Sequence, residues 1–305
     1  MPEIAVVIPA THGREANLRC VLDSLANQTL RVRNIVVVDD GGELEFTDHD
    51  LGARFIQAPK HEPGMEQPRN IGVRFIKKHW PFVTHVWFVD SDVVMSPTAH
   101  EKIQHGYMSG NQNRILIGPY EWLPPGLRPE TDPNFWQNAE QVDSDFRWGG
   151  FRQHQVDEEI TNDLSAGLAC FSGNLVWPIQ EFVRVGGFWN EIHHGRCEDG
   201  ELGLRAVAMD VPISWCAGAR GYHLWHEVNG ALAVQRNERD VPMLNERHPW
   251  VERGAVFMVD RDGKAFDCKC PKCGEQIHTI LWWQHAEQCG VVSLPVLSEP
   301  GFAKS

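Results

Sequence analysis

Asp90 and Asp92 stand one residue apart where the apolar run Val86-Trp87-Phe88-Val89 ends. Two carboxylates at the point where a buried strand meets solvent make an oxygen-only hook for a hard divalent cation, Mn²⁺ or Mg²⁺. Such a cation keeps part of its shell for a substrate phosphate. A strand-closing Asp-Ser-Asp turn is the plainer reading of the same residues. A second acidic pair, Glu198-Asp199, opens a segment with Leu202, Ala206 and Met209 on one helical face. Acids in the first turn of a helix are favoured by its dipole. The third group is Cys270-x2-Cys273-x11-His285-x3-Cys289. Cys270 and Cys273 form a knuckle, and His285 and Cys289 share a helix face at i, i+4. Four ligands with no open position describe a structural rather than catalytic Zn²⁺ site. Cys268 and His278 are spare ligands in the same stretch.

These groups need elements to position them. Ile4-Ala5-Val6-Val7-Ile8 is a continuous apolar run, the pattern of a parallel strand buried on both faces. Leu18, Val21, Leu22 and Leu25 recur at helical spacing and predict an amphipathic helix over residues 14–28. Ile35-Val36-Val37-Val38 predicts a second strand running into the turn Asp39-Asp40-Gly41-Gly42. The two strands should lie parallel with a right-handed crossover. Further elements are predicted over residues 54–57 (strand), 67–79 (helix), 86–89 (strand) and 211–216 (strand). Ligands of open parallel sheets sit beyond the carboxyl ends of the strands. Residues 9–13, 39–42 and 90–92 should therefore converge on one crevice. No glycine-rich dinucleotide fingerprint or lysine phosphate loop follows these strands, so a bound nucleotide would meet its phosphates through a metal. Residues 119–162 are rich in Pro, Gly, Asp and Trp with little periodicity, as in long functional loops.

A chain of 305 residues with 42% hydrophobic content holds one large α/β domain plus a small appendage. With 28 basic against 41 acidic residues the net charge is −13, which argues against a wide basic surface for nucleic acid. No apolar run approaches the roughly 20 residues of a membrane span. The N-terminus lacks the pattern of a secretory signal, so a cytoplasmic protein is expected. Cysteines crowded beside histidines in such a chain favour metal over disulfide.

Eight motifs occur in an order that resembles family 2-like glycosyltransferases of the GT-A fold. In the first half they are Val6-Val7-Ile8-Pro9, Leu25-Ala26-Asn27-Gln28-Thr29, Val37-Val38-Asp39-Asp40-Gly41-Gly42, Arg69-Asn70-Ile71-Gly72 and Phe88-Val89-Asp90-Ser91-Asp92. Ser172-Gly173-Asn174, Gly186-Gly187-Phe188 and Glu198-Asp199-Gly200-Glu201-Leu202-Gly203-Leu204-Arg205 follow and resemble the acceptor half of these enzymes. The resemblance covers roughly residues 4–230. It implies an α/β fold with a Rossmann-like mixed, mainly parallel sheet flanked by helices. It implies that Asp90 and Asp92 hold Mn²⁺ or Mg²⁺ against the donor diphosphate, with Asp92 the direct ligand and Asp90 near ribose or a metal-bound water. Thr11, Asp39 and Arg69 would be donor contacts, Asp39 reading the base. Asp199 would be the catalytic base and Glu198 would orient the acceptor. Either His223 or His226 would add a metal ligand. Glu201 and Arg205, at i, i+4, read as a helix pair. Trp189-Asn190-Glu191 departs from the family, which places an acid directly after Gly-Gly-Phe, and leaves the donor-sugar contacts open.

The expected organisation is a glycosyltransferase domain over residues 1–258, divided into a nucleotide-sugar half (1–95) and an acceptor half (96–258). A zinc-finger-like module over 259–292 and a tail over 293–305 follow. The expected activity is inverting, metal-dependent transfer from a nucleotide diphosphate sugar, a UDP-sugar by the resemblance, to an acceptor hydroxyl. Two alternatives stand beside it. The finger would present a macromolecular acceptor such as hydroxymethylated DNA or a protein, or the chain would be a non-catalytic nucleotide-sugar-binding module.

Overall fold

The computed structural model describes residues 1–44, 52–59, 66–145, 164–190 and 197–226, together with Met243, Glu246 and two short strands near the C-terminus. Strand β1 (Ile4–Ala10) is buried at all seven positions. Its side chains alternate between two cores, as the period of two in a strand requires. Val6 and Ile8 pack with Leu18, Val21, Leu22 and Leu25 of helix α1 (Glu15–Ala26). Ala5 and Val7 face the other way, toward Val73 and Ile76 of helix α2 (Glu66–His79). Each fully buried Val, Leu or Ile contributes about 1.5–3 kcal/mol, so this strand anchors both layers. Helix α2 comes very close to it at Gly72. A Cβ there would lie 2.5 Å from Val7 Cγ1.

Strands β2 (Asn34–Asp40), β3 (Ala53–Ala58) and β4 (His85–Val89) join β1 in parallel, in the order β3-β2-β1-β4. Strand β5 (Val93–Met95) and helix α3 (Ala99–Met108) come next, followed by strands β6 (Ile115–Ile117) and β7 (Tyr120–Trp122). The large sheet is completed by β8 (Asn174–Pro178), β6 and β9 (Ile213–Trp215), giving β3-β2-β1-β4-β8-β6-β9. Only β8 is reversed, being antiparallel to both β4 and β6. The sheet is mixed and mainly parallel, as the sequence leads one to expect.

The stretch expected to be aperiodic contains strand β7 and a short helix α4 (Phe135–Ala139). Elements of three and five residues are too short for a period to register. The buried carboxylate of Glu121 tethers the following chain, accepting from the backbone N–H of Ser144 at 2.7 Å and of Asp145 at 2.9 Å. Helices α5 (Leu164–Leu168), α6 (Ile179–Arg184) and α7 (Cys197–Ala208) lie in the second half. A small second sheet has the order β5-β10-β7, where β10 is Gly221–His223. Near the C-terminus β11 (Asp267–Lys269) and β12 (Gln276–His278) pair antiparallel. The expected zinc ligands Cys270, Cys273, His285 and Cys289 lie outside the described residues. No helix among the described residues is long and apolar enough to cross a membrane.

Candidate active site

Two register choices assemble the site. Val89 pairs with Asn174, so Asp90, which follows β4, meets Ser172 and Gly173, which precede the reversed strand β8. Gly173 is required by that approach. A Cβ on it would stand 2.2 Å from a Tyr120 ring carbon and 3.0 Å from Asp90 Oδ2. Asn174 fixes the turn, accepting from the Trp87 indole at 3.0 Å and donating to the carbonyls of Pro119 and Ala219. In the small sheet, His223 of β10 pairs antiparallel with Val93 of β5. Leu224 N–H donates to Asp92 C=O at 2.8 Å and continues the ladder. This brings His223 beside Asp92.

The result is a three-residue cluster. His223 Nε2 lies 3.6 Å from Asp92 Oδ1, and His226 Nε2 lies 3.1 Å from Asp92 Oδ2. The ligand atoms of Asp92, His223 and His226 all fall within 4.8 Å of one another. The sequence left open which histidine joins the aspartate; the structure brings both. Burial works against ionisation of Asp92, but His223, His226 and Arg14 outweigh it and hold its carboxyl below the ordinary value. Burial lowers the His223 pKa against the pull of Asp92, which favours the neutral, ligand-competent imidazole. The Trp122 ring, with centroids 4.3 Å apart, backs His223. Arg14 Nη2 lies 3.3 Å from His226 Nδ1. A guanidinium only donates, so Nδ1 accepts and Nε2–H points at Asp92. Ligation by His226 would exchange that proton for the cation. One carboxylate and two imidazoles fit a first-row transition metal such as Mn²⁺ better than Mg²⁺, which favours all-oxygen shells.

Asp90 is not part of this cluster. Its Oδ1 accepts from Arg69 Nη2 at 2.7 Å. On the other side of the same guanidinium, Glu198 Oε1 and Asp199 Oδ1 lie 3.7 and 3.9 Å from Nη1. Both acids are in the first turn of α7, where the helix dipole favours them. Asp199 is buried and accepts a short hydrogen bond from Ser172 Oγ. Burial raises its pKa above the ordinary carboxylate value, against the opposing effects of Arg69 and Ser172. The expected helix pair is present and buried, with Arg205 Nη2 2.5 Å from Glu201 Oε2.

The remaining expected residues sit along the same sheet edge. Asp39, the penultimate residue of β2, is buried and accepts from Leu44 N–H through Oδ2 at 3.3 Å. Its Oδ1 is buried with no hydrogen-bond partner among the described residues. Thr11 opens the turn after β1, where its C=O accepts from Arg14 N–H. Asn70 joins α2 to the turn after α6, donating to Phe188 C=O and accepting from Phe188 N–H. Sequence reading passed over Arg14, Trp122 and a role for Ser172. Arg14, three residues after Thr11 beyond a strand end, carried the one legible signal. Trp122 and Ser172 gain their meaning only from strand pairing.

A mainly parallel sheet with acids at its strand ends, faced by two histidines from the small second sheet, defines an α/β protein with its site beyond the carboxyl ends of the strands. Residues 5–123, which hold β1 to β7, match the profile of Glycosyl transferase family 2. The chain is 24% identical over 268 residues to the validoxylamine A glucosyltransferase of Streptomyces hygroscopicus subsp. jinggangensis (strain 5008), covering 82% of this chain and 62% of that one. The protein of the same name from Streptomyces hygroscopicus subsp. limoneus is also 24% identical, over 82% of this chain and 57% of its own length. The chain thus spans about three fifths of these relatives. Among solved structures, S. aureus TarS aligns with a TM-score of 0.54 at 15% identity, over 80% of this chain and 39% of that one. TarS 1–349 in complex with UDP-GlcNAc aligns with a TM-score of 0.51 at 18% identity, over 79% of this chain and 66% of that one. These likenesses show the fold.

Proposed function

We propose that the protein is a metal-dependent, inverting glycosyltransferase that moves a hexose-type sugar from a UDP-sugar to an acceptor hydroxyl. The observation that carries this reading is the convergence, at one sheet edge, of the Asp92-His223-His226 cluster and the buried carboxylate of Asp199. One group suits a donor diphosphate and the other an acceptor hydroxyl. The glucosyltransferase relatives and the UDP-GlcNAc held by a protein of the same fold support a UDP-sugar donor.

Asp92 and His223, joined by His226, would hold Mn²⁺. When bound, the cation neutralises charge that builds on the leaving diphosphate. The buried Oδ1 of Asp39, unpartnered among the described residues, is an acceptor suited to an N–H of the base, and Thr11 follows the neighbouring strand. Asp199 takes the proton of the acceptor hydroxyl as its oxygen bonds to the anomeric carbon. The bond from that carbon to the diphosphate oxygen breaks, and its electron pair leaves with UDP. One displacement inverts the anomeric configuration. Glu198, beside the base, orients the acceptor. We further propose that Cys270, Cys273, His285 and Cys289 hold a structural Zn²⁺; the alternative to a free acceptor is a macromolecular one, DNA or protein, presented by this module.

The test uses UDP-glucose and UDP-GlcNAc with purified protein. Wild type should release UDP with Mn²⁺ present, stop with chelator and recover when Mn²⁺ is restored. Asp92→Asn should lose both UDP release and Mn²⁺ binding, the latter followed by electron paramagnetic resonance, with thermal stability preserved. Full UDP release by Asp92→Asn at saturating donor would remove the metal assignment. A product that keeps the donor's anomeric configuration would remove the single displacement.

A further inference from the structure

Arg69 is the least exposed cation of the site, with 3% of its side chain accessible. Its surroundings are acidic on two sides. Nη2 donates to Asp90 Oδ1 at 2.7 Å, and Nη1 faces Glu198 Oε1 at 3.7 Å and Asp199 Oδ1 at 3.9 Å. The guanidinium stands 5.3 Å from the Phe188 ring centroid, a cation–π contact that fixes its plane. Neither Nε nor Nη1 has a hydrogen-bond partner among the described residues. Nη1 therefore acts on the two acids of α7 through its charge. A side chain enclosed in this way presents almost no surface to a nucleotide, although its motif suggests a donor contact.

We propose that Arg69 is a positioning residue for the acceptor-side carboxylate, tying Asp199 to Asp90 across the site rather than touching the nucleotide. The proposal rests on the reading of Asp199 as the base. Three acids, Asp90, Glu198 and Asp199, surround one guanidinium, and Ser172 Oγ–H donates to Asp199. Glu201, also on α7, is committed to Arg205 and so does not compete for Arg69. A base must be ionised at working pH, yet burial and the negative Asp90 and Glu198 favour the neutral form. Arg69 is the countercharge that opposes this. It also holds donor-side and acceptor-side carboxylates in a constant relation, because one rigid fork meets both.

The experiment compares wild type, Arg69→Met and Arg69→Lys. Protein labelled with ¹³C at the aspartate carboxyls, and kept free of donor, is titrated by nuclear magnetic resonance, with Asp199→Asn assigning the signal. An opposite charge at this range shifts a carboxylate by about 1–3 pH units. The Asp199 midpoint should rise by about that much in Arg69→Met and by less in Arg69→Lys. The acid limb of Mn²⁺-dependent UDP release from UDP-glucose should move the same way. UDP affinity, measured by calorimetry with Mn²⁺, should change by less than about tenfold, the equivalent of one lost hydrogen bond. An unmoved Asp199 midpoint overturns the proposal, as does a loss of UDP affinity beyond that with the limb unchanged. Should Arg69→Met fail to fold, Arg69→Lys carries the same decision, since a midpoint that stays at the wild-type value refutes it. Wild type that releases no UDP, while its Asp199 midpoint still follows Arg69, refutes the enzymatic reading and leaves the linkage standing.

Discussion

Asp199, the proposed base, illustrates how neighbours set the charge state of a single carboxylate. Its pKa is raised by burial, against Arg69 and the Ser172 hydroxyl. A base works only when ionised, so turnover should fall as pH drops through this raised value. Ser172 donates to the charged form, and removing that hydrogen bond favours the neutral form. Ser172→Ala should therefore move the acid limb of UDP release to higher pH. Asp199→Asn should lower turnover by about 10²–10⁴-fold, the usual contribution of a general base, while UDP affinity stays near wild type. Equal losses in turnover and UDP binding would make Asp199 a structural residue.

At the scale of elements, the acidic turn of α7 is aimed by a second ion pair one turn along the helix. Glu201 is fully buried against Arg205. Arg205 Nη2 also donates to Gly187 C=O at 2.6 Å, and Nη1 donates to Val185 C=O. This clamps α7 to the turn that Asn70 of α2 holds from the other side. Removing one partner of a buried pair leaves an uncompensated charge and costs about 3–5 kcal/mol. Glu201→Ala should lose about that much in urea unfolding. The double change to Leu at 201 and Met at 205 should lose less, because an apolar pair leaves no charge unmatched. A Glu201→Ala protein as stable as wild type would show that the pair contributes specificity alone. The same clamp explains the Arg69-Asn70-Ile71-Gly72 motif. Arg69 reaches the acids, Asn70 reaches Phe188, and Gly72 lets α2 lie against Val7.

At the scale of the whole molecule, the seven-stranded sheet has its own two cores, one on each face. The proposed zinc module follows it in sequence and has few residues with which to build a core, so metal would supply its folding energy. Purified protein should carry about one tightly held zinc, as closed four-ligand sites do. Cys273→Ala or His285→Ala should release it, while donor hydrolysis, which needs only the sheet and its strand ends, should persist. Protein purified under reducing, metal-replete conditions without zinc would remove the module. Loss of transfer to a DNA or protein acceptor alongside intact donor hydrolysis would assign the module to acceptor docking.

Local sequence was enough for the layered parallel half. Continuous apolar runs mark strands covered on both faces, helical spacing marks their crossovers, and together they place Asp39, Asp90 and Asp92 at strand ends. The resemblance to family 2-like enzymes named the acceptor-half residues, and their order in the chain carried that recognition. Tertiary structure alone decided who meets whom. Asp90 and Asp92 are two residues apart, yet one turns to Arg69 and the other to two histidines. His223 reaches Asp92 because β10 runs antiparallel to β5, and Ser172 comes to this edge because β8 is reversed. Side-chain period tells which face a residue takes, but it carries no information about which distant strand will pair with it. That choice is made by closing two cores at once, and in this protein it builds the site.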